Sequence, residues 1–146
     1  MKFSDTLIYC FAQVSTAQRV SLDRDLRAIG LFGGQVFVLF ELWEKGGQSQ
    51  SVLARSLRLS PPTVNKMVRS LEDAGFVSIG RSSTDGRIAI VQLTRKGHEV
   101  RPHVEAVWDQ AEERFAGNLT PAERLMLIQL VEKLGEGLAA GDDDEA

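Results

Sequence analysis

Asp85-Gly86-Arg87-Ile88-Ala89-Ile90-Val91-Gln92-Leu93-Thr94 is the stretch whose reading decides the fold. Asp-Gly is turn chemistry, so its first residues form a hairpin tip that carries an arginine. The residues after Arg87 alternate between a face that can bury and a face that meets water, the pattern of a half-buried strand. Thr94 stops that strand and caps a helix. Phe76–Arg81 alternates in the same way, so the reading pairs it with Arg87–Leu93 around the polar tip Ser82-Ser83-Thr84-Asp85-Gly86. A loop of this length exceeds what a tight hairpin needs, and spare length at a solvated tip suggests that it reaches for something.

Two short helices precede the hairpin. The first covers about Gln50–Leu57 and buries Leu53, Ala54 and Leu57. After the turn Arg58-Leu59-Ser60, Ser60 is the N-cap of the second and Pro61 its first residue, where a missing N–H costs nothing. This second helix runs to about Ala74, with Val64, Met67, Val68 and Leu71 inside, and Gly75 ends it. Pro62, Thr63, Asn65, Lys66, Arg69 and Ser70 form its outer face. Two helices joined by so short a turn, the second polar and basic outside, make a helix-turn-helix. Upstream, Gln35 to Glu44 is apolar on nearly every side, a spine buried all round and stopped by Gly46-Gly47. Residues 5–28 form an amphipathic helix through Leu7, Ile8, Phe11, Val14, Leu22 and Leu26, ended by Gly30. Downstream of Thr94 the stripe Val100, Val104, Val107, Trp108, Ala111 and Phe115 predicts a helix whose start Pro102 kinks or delays. Thr120-Pro121-Ala122-Glu123 is a capping box opening a last helix, expected to bury Leu125, Ile128, Val131, Leu134 and Leu138.

The 146 residues carry a net charge of −3, which conceals a strong asymmetry. Residues 1–48 balance five basic against five acidic side chains. Residues 49–97 hold eight basic and three acidic, for +5, and residues 98–146 hold four and twelve, for −8. A local patch, not the mean, sets affinity for a polyanion. No apolar run is long enough to span a bilayer, and the N-terminus lacks the apolar core of a signal peptide. A single cysteine, Cys10, excludes an internal disulfide and fits a reducing cytoplasm. No nucleophile–base–acid set and no glycine-rich phosphate loop is visible, so an enzyme is not expected. His98 and His103 fall on different helix faces, so neither a metal nor a cofactor is expected.

Taken together, the layout resembles the MarR family of winged-helix transcription regulators. The matching elements are Gly30-Leu31 before Gln35, Ser49 to Ala54, Ser60 to Val64, Leu71 to Val77, Asp85-Gly86-Arg87, and Leu93 to Gly97. The resemblance implies a mainly α fold with a small β-hairpin wing: a winged helix-turn-helix with N- and C-terminal dimerisation helices. On this reading residues 1–141 form one domain, with the DNA-reading lobe at about 32–97, dimerisation helices at about 4–29 and 98–140, and an acidic tail at 142–146. It further implies a cytoplasmic homodimer, most simply a repressor, on double-stranded DNA with a palindromic operator. A small aromatic or lipophilic effector would act in a pocket between dimer helices and lobe. Phe11, Phe37, Phe40, Trp43 and Trp108 are candidates to line it, each of them equally a core residue. Two departures stand out. Phe32-Gly33-Gly34 precedes Gln35 where the family usually has a threonine, and Ser78-Ile79-Gly80-Arg81 is less basic than usual.

Arg87 is the first candidate for DNA, since a tip arginine suits the negative potential of the minor groove. Asp85 would steady the wing by accepting hydrogen bonds from it or from the loop backbone. The plain alternative for the two is an exposed ion pair. On the recognition helix, Pro62, Thr63, Asn65, Lys66 and Arg69 face the major groove, with Asn65 able to bond adenine and the two cations guanine or phosphate. The alternative there is a solvated face, with Arg69 paired to Glu72 or Asp73. Ser49, Gln50 and Ser51 are expected at phosphate, as helix N-termini are, or simply as caps. Ser60, Pro61, Arg81, Ser83 and Thr84 complete the expected DNA-binding set. Some family members sense hydroperoxides through a cysteine on the first helix; Cys10 reads more simply as a packed residue. A rival function is a winged-helix dimer that acts as a protein-interaction module without DNA.

Overall fold

The computed structural model describes residues 1–143: a 3-10 turn at Phe3–Asp5, α1 Leu7–Arg27, α2 Gln35–Lys45, α3 Gln50–Leu57, α4 Pro61–Asp73, β1 Val77–Arg81, β2 Ala89–Leu93, α5 Arg95–Glu99, α6 Arg101–Ala116 and α7 Pro121–Asp143. This is a mainly helical winged helix-turn-helix with one antiparallel hairpin. The chain divides into two compact units, Met1–Trp108 and Asp109–Ala146. Of the acidic tail at 142–146, Asp142 and Asp143 continue α7, and the rest lies outside the described residues.

The caps form as their residue types dictate. Thr6, Ser49, Ser60 and Thr94 each accept a backbone N–H from the first turn of the helix they open. Thr120 and Glu123 bond each other's backbone N–H in a complete capping box. Three helices stop alike, each with one residue in the left-handed region and a backbone N–H reaching back across it: Gly30 after α1, Arg58 after α3 and Gly75 after α4. Arg58 is the one non-glycine at positive φ among the described residues, and it makes the helix-turn-helix turn at a cost of about 1 kcal/mol.

The core is made by Leu22 and Leu26 of α1, Val36, Val38, Leu39 and Leu42 of α2, Leu53 of α3, Val64, Val68 and Leu71 of α4, Phe76 after it, and Val77 and Val91 of the wing, all buried. The expected all-round burial of α2 is incomplete, because Phe37 is 43% exposed. Val100 separates α5 from α6, since Pro102 has no N–H to offer the His98 carbonyl. The stripe of α7 is not buried in this chain: Leu125, Ile128, Val131, Leu134 and Leu138 are all exposed, as are Leu7, Ile8, Phe11 and Val14 of α1.

Register in the wing is Val77 opposite Leu93 through Arg81 opposite Ala89. Both strands are shorter than expected, and the tip spans residues 82–88. The ladder opens there because the tip bonds itself: Ser82 Oγ accepts the N–H groups of Thr84 and Asp85, and Ile88 N–H donates to the Asp85 carbonyl. Gln48, not anticipated as a strand, bridges Val91 through two backbone bonds of 3.1 and 2.8 Å and ties the end of α2 to the wing.

The unusual start of α2 has a physical resolution. Gly34 supplies no side-chain cap; instead Asp23 of α1 accepts the Gly33 N–H at 2.5 Å and pairs with Arg27 at 2.9 Å. The Gly33 N–H, and after it the Arg27 guanidinium, hold the Asp23 carboxyl below its usual 3.8. A lowered folded value means that the carboxylate's contribution is fully present above the unfolded value and is lost as pH falls through the lower, folded one. Urea unfolding at neutral and at acid pH checks this: the stability gap between wild type and Asp23→Asn narrows towards pH ~3. A gap that does not change with pH contradicts the assignment.

Candidate nucleic-acid interface

The expected DNA-binding residues lie on three adjoining elements of the first unit: the N-terminus of α3, α4, and the wing. Ser49 and Ser60 open α3 and α4, and their hydroxyls reach Ser51 Oγ at 3.1 Å and Thr63 Oγ1 at 2.8 Å. Pro61, Pro62 and Thr63 stand exposed at the start of α4. There the first N–H groups point outward with the positive end of the helix dipole, a setting that suits an anion.

Asn65 is tied in at both ends of its amide. Its Nδ2 donates to Gln50 Oε1 at 3.1 Å, and its Oδ1 accepts from Arg69 Nε at 3.0 Å. The first bond stitches α4 to α3; the second holds Arg69 along the helix, so Arg69 pairs with neither Glu72 nor Asp73. Beyond these two bonds the amide keeps one N–H and one oxygen lone pair. Ser70 departs from its expected place on the outer face: it is half-buried, and its hydroxyl accepts from Gln35 Nε2 at 2.7 Å. Lys66 is exposed.

At the wing tip Asp85 Oδ1 accepts both the Arg87 N–H at 3.0 Å and Arg87 Nε at 3.3 Å, bonding loop and arginine as expected. The Arg87 side chain is nonetheless 93% exposed. Arg81, Ser83 and Thr84 are exposed beside it. Of the eight cations in residues 49–97, only Arg87 and Arg95 have a carboxylate partner. Arg55, Arg58, Lys66, Arg69, Arg81 and Lys96 have none among the described residues, so the positive charge of this lobe is left largely uncompensated.

The aromatic candidates pack on one another. Phe40 and Trp108 meet edge to face at 4.8 Å, Phe37 meets Phe40 at 5.8 Å and Trp108 at 6.1 Å, and Phe40 meets Trp43 at 5.9 Å. Trp43 Nε1 donates to the Gly97 carbonyl at 3.0 Å, docking α2 onto α5. Phe11 is apart from them, exposed on α1. A separate open groove of about 460 Å³ lies among Ile29, Ala74, Phe76, Lys96, Val100 and His103. Residues so far apart in sequence carried no joint signal of it. Cys10 is exposed in the single chain, with its Sγ 3.7 Å from the Ser4 carbonyl.

Comparison with known proteins places this geometry. The MarR family model matches residues 34–89. The HTH-type transcriptional repressor Rv2887 of Mycobacterium tuberculosis is 31% identical over 127 residues, covering 87% of this chain and 91% of that protein. The regulator BilQ of Clostridium symbiosum is 27% identical over 112 residues, 77% of this chain and 78% of its own. In fold, the chain superposes with TM-score 0.85 on Bordetella bronchiseptica BpsR, whose DNA binding is regulated by 6-hydroxynicotinic acid, at 20% identity and covering 92% of this chain and 96% of that one. It superposes with TM-score 0.82 on an Escherichia coli MarR variant complexed with operator DNA, at 19% identity and 92% and 98% coverage. Fold, motif order and a relative at 31% identity across most of both chains agree: this chain belongs to the MarR family of transcriptional regulators.

Proposed function

We propose that this regulator binds double-stranded operator DNA as a cytoplasmic homodimer and represses transcription from it, with α4 in the major groove and the wing arginine in the minor groove of each half-site. The observation that carries the reading is the uncompensated charge of residues 49–97, five of whose six unpaired cations lie on α3, the turn after it, α4 and the wing. Six cations without carboxylate partners suit a phosphate backbone. The exposed apolar faces of α1 and α7 supply the second copy, and two copies related by a twofold axis match a palindromic site. No helix among the described residues is long and apolar enough to cross a membrane.

A small aromatic or lipophilic effector releases the DNA if it binds one arrangement of the lobes better than the other. It would enter the ring cluster of α2 and α6 by displacing Phe37, the ring with the most exposed face.

The test is fluorescence anisotropy against the upstream intergenic duplex and a scrambled control. Binding roughly a thousandfold tighter to the native duplex, with a log–log salt slope of about −0.9 per phosphate neutralised, is the expected result. Equal binding to both with a shallow slope would favour the protein-interaction module instead. Within this assay Arg87→Ala lowers operator affinity about tenfold and leaves melting unchanged, because an exposed pair contributes little to stability. Lys66→Ala weakens all duplexes alike and lowers the slope by about one contact.

A further inference from the structure

A continuous run of bonds joins α1 to the recognition helix. Arg27 holds Asp23; Asp23 takes the Gly33 N–H; Gln35 Oε1 takes the Phe32 N–H at 3.1 Å; and Gln35 Nε2 donates to Ser70 Oγ on α4 at 2.7 Å. The turn between these bonds lies against α4, since a Cβ on Gly34 would come 2.6 Å from the flexible end of Met67, also on α4. Gln35 is only 3% exposed, so its amide has no water to fall back on. Apolar packing alone would let α4 slide or rotate against α2, since dispersion contacts are non-directional. A buried amide that donates to one hydroxyl resists such motion, because moving α4 strands an N–H in the core.

Resting on the DNA reading above, we infer that Asp23, Gln35 and Ser70 are positioning residues for operator recognition. They aim α4 from α1 without touching DNA. Ser70 directly follows Arg69 and lies one turn beyond Lys66, so the bond from Gln35 sets the direction from which the outer face of α4 meets the bases. Asp23 fixes the same turn from the other side, which makes the aim of α4 follow the placement of α1. If α1 pairs with a second copy, the angle of the reading helix is thereby set by the dimer and not by the lobe alone.

The prediction separates aim from contact. Ser70→Ala and Asp23→Ala each lower affinity for the operator about tenfold, the size of one lost hydrogen bond, and leave affinity for the scrambled duplex and the salt slope unchanged. Ser70→Thr keeps the accepting oxygen and restores operator affinity. A lost phosphate contact would instead weaken both duplexes and flatten the slope. Melting curves accompany each variant, and Asp23→Ala supplies a second route should Ser70→Ala fold poorly. A wild-type protein that discriminates the operator while folded Ser70→Ala and Asp23→Ala do so equally well overturns this inference alone. A wild-type protein that treats both duplexes alike overturns the DNA reading and this inference with it.

Discussion

Gly97→Ala is expected to destabilise the fold by about 3 kcal/mol, lowering the melting temperature by roughly 10 °C. On helix propensity alone the change should be favourable by up to about 1 kcal/mol, since Gly97 lies within α5. The steric term has the opposite sign and wins. A Cβ on Gly97 would overlap the Phe76 carbonyl oxygen and lie 3.1 Å from Leu93 Cδ2. That oxygen cannot withdraw, because it accepts the Thr94 N–H at 3.1 Å, and Phe76 itself is buried. Nor can α5 lift away without breaking the bond from Trp43 to the Gly97 carbonyl. Gly80→Ala is the matched control: nothing lies within 4 Å of its Cβ, and its effect stays within about 0.5 kcal/mol. Thermal and urea unfolding of both variants make the comparison. A Gly97→Ala protein as stable as wild type would mean that α5 does not approach the wing this closely.

The second large effect concerns assembly. Val131→Glu with Leu134→Glu is expected to leave a folded monomer that binds the operator roughly a thousandfold more weakly, because two half-sites can no longer be engaged together. Within one chain these side chains are 40% and 41% exposed, so charging them costs the isolated fold little. In a twofold interface each charge occurs twice and is buried without a partner, at about 3–5 kcal/mol per site. Light scattering on a sizing column reads the mass, and anisotropy reads the affinity. A double variant that stays dimeric would place the contact on another face.

The elements that could be read from the chain are those whose signals act over three or four residues. Ser49, Ser60 and Thr94 are caps wherever they precede a helix, because each hydroxyl reaches an N–H only a few residues ahead. Pro61 is tolerated only in the first turn, and Gly75 takes the left-handed turn that side chains resist. Asp85 bonding the Arg87 N–H is of the same kind. These local rules place the helix-turn-helix and the wing, and with them most of the candidate interface.

Long-range contacts were not legible, because nothing local distinguishes a hydroxyl that faces water from one that meets a glutamine 35 residues away. Ser70 therefore read as outer surface and proved to hold α4 to Gln35. Gly33 and Gly34 read as an oddity at the start of α2, and Asp23 of α1 supplies the missing cap. The wing tip read as shorter than it is, since its self-bonding by Ser82 and Asp85 competes with the ladder. Ring packing among Phe37, Phe40, Trp43 and Trp108 could not be told from a pocket, as apolar periodicity is the same for both. By itself, then, the sequence determined the order of the elements, their caps and the charge of the reading lobe, all properties of neighbours along the chain. Only the tertiary structure decided how α4 is aimed and which apolar faces are left uncovered, because both depend on groups that folding brings together from distant positions.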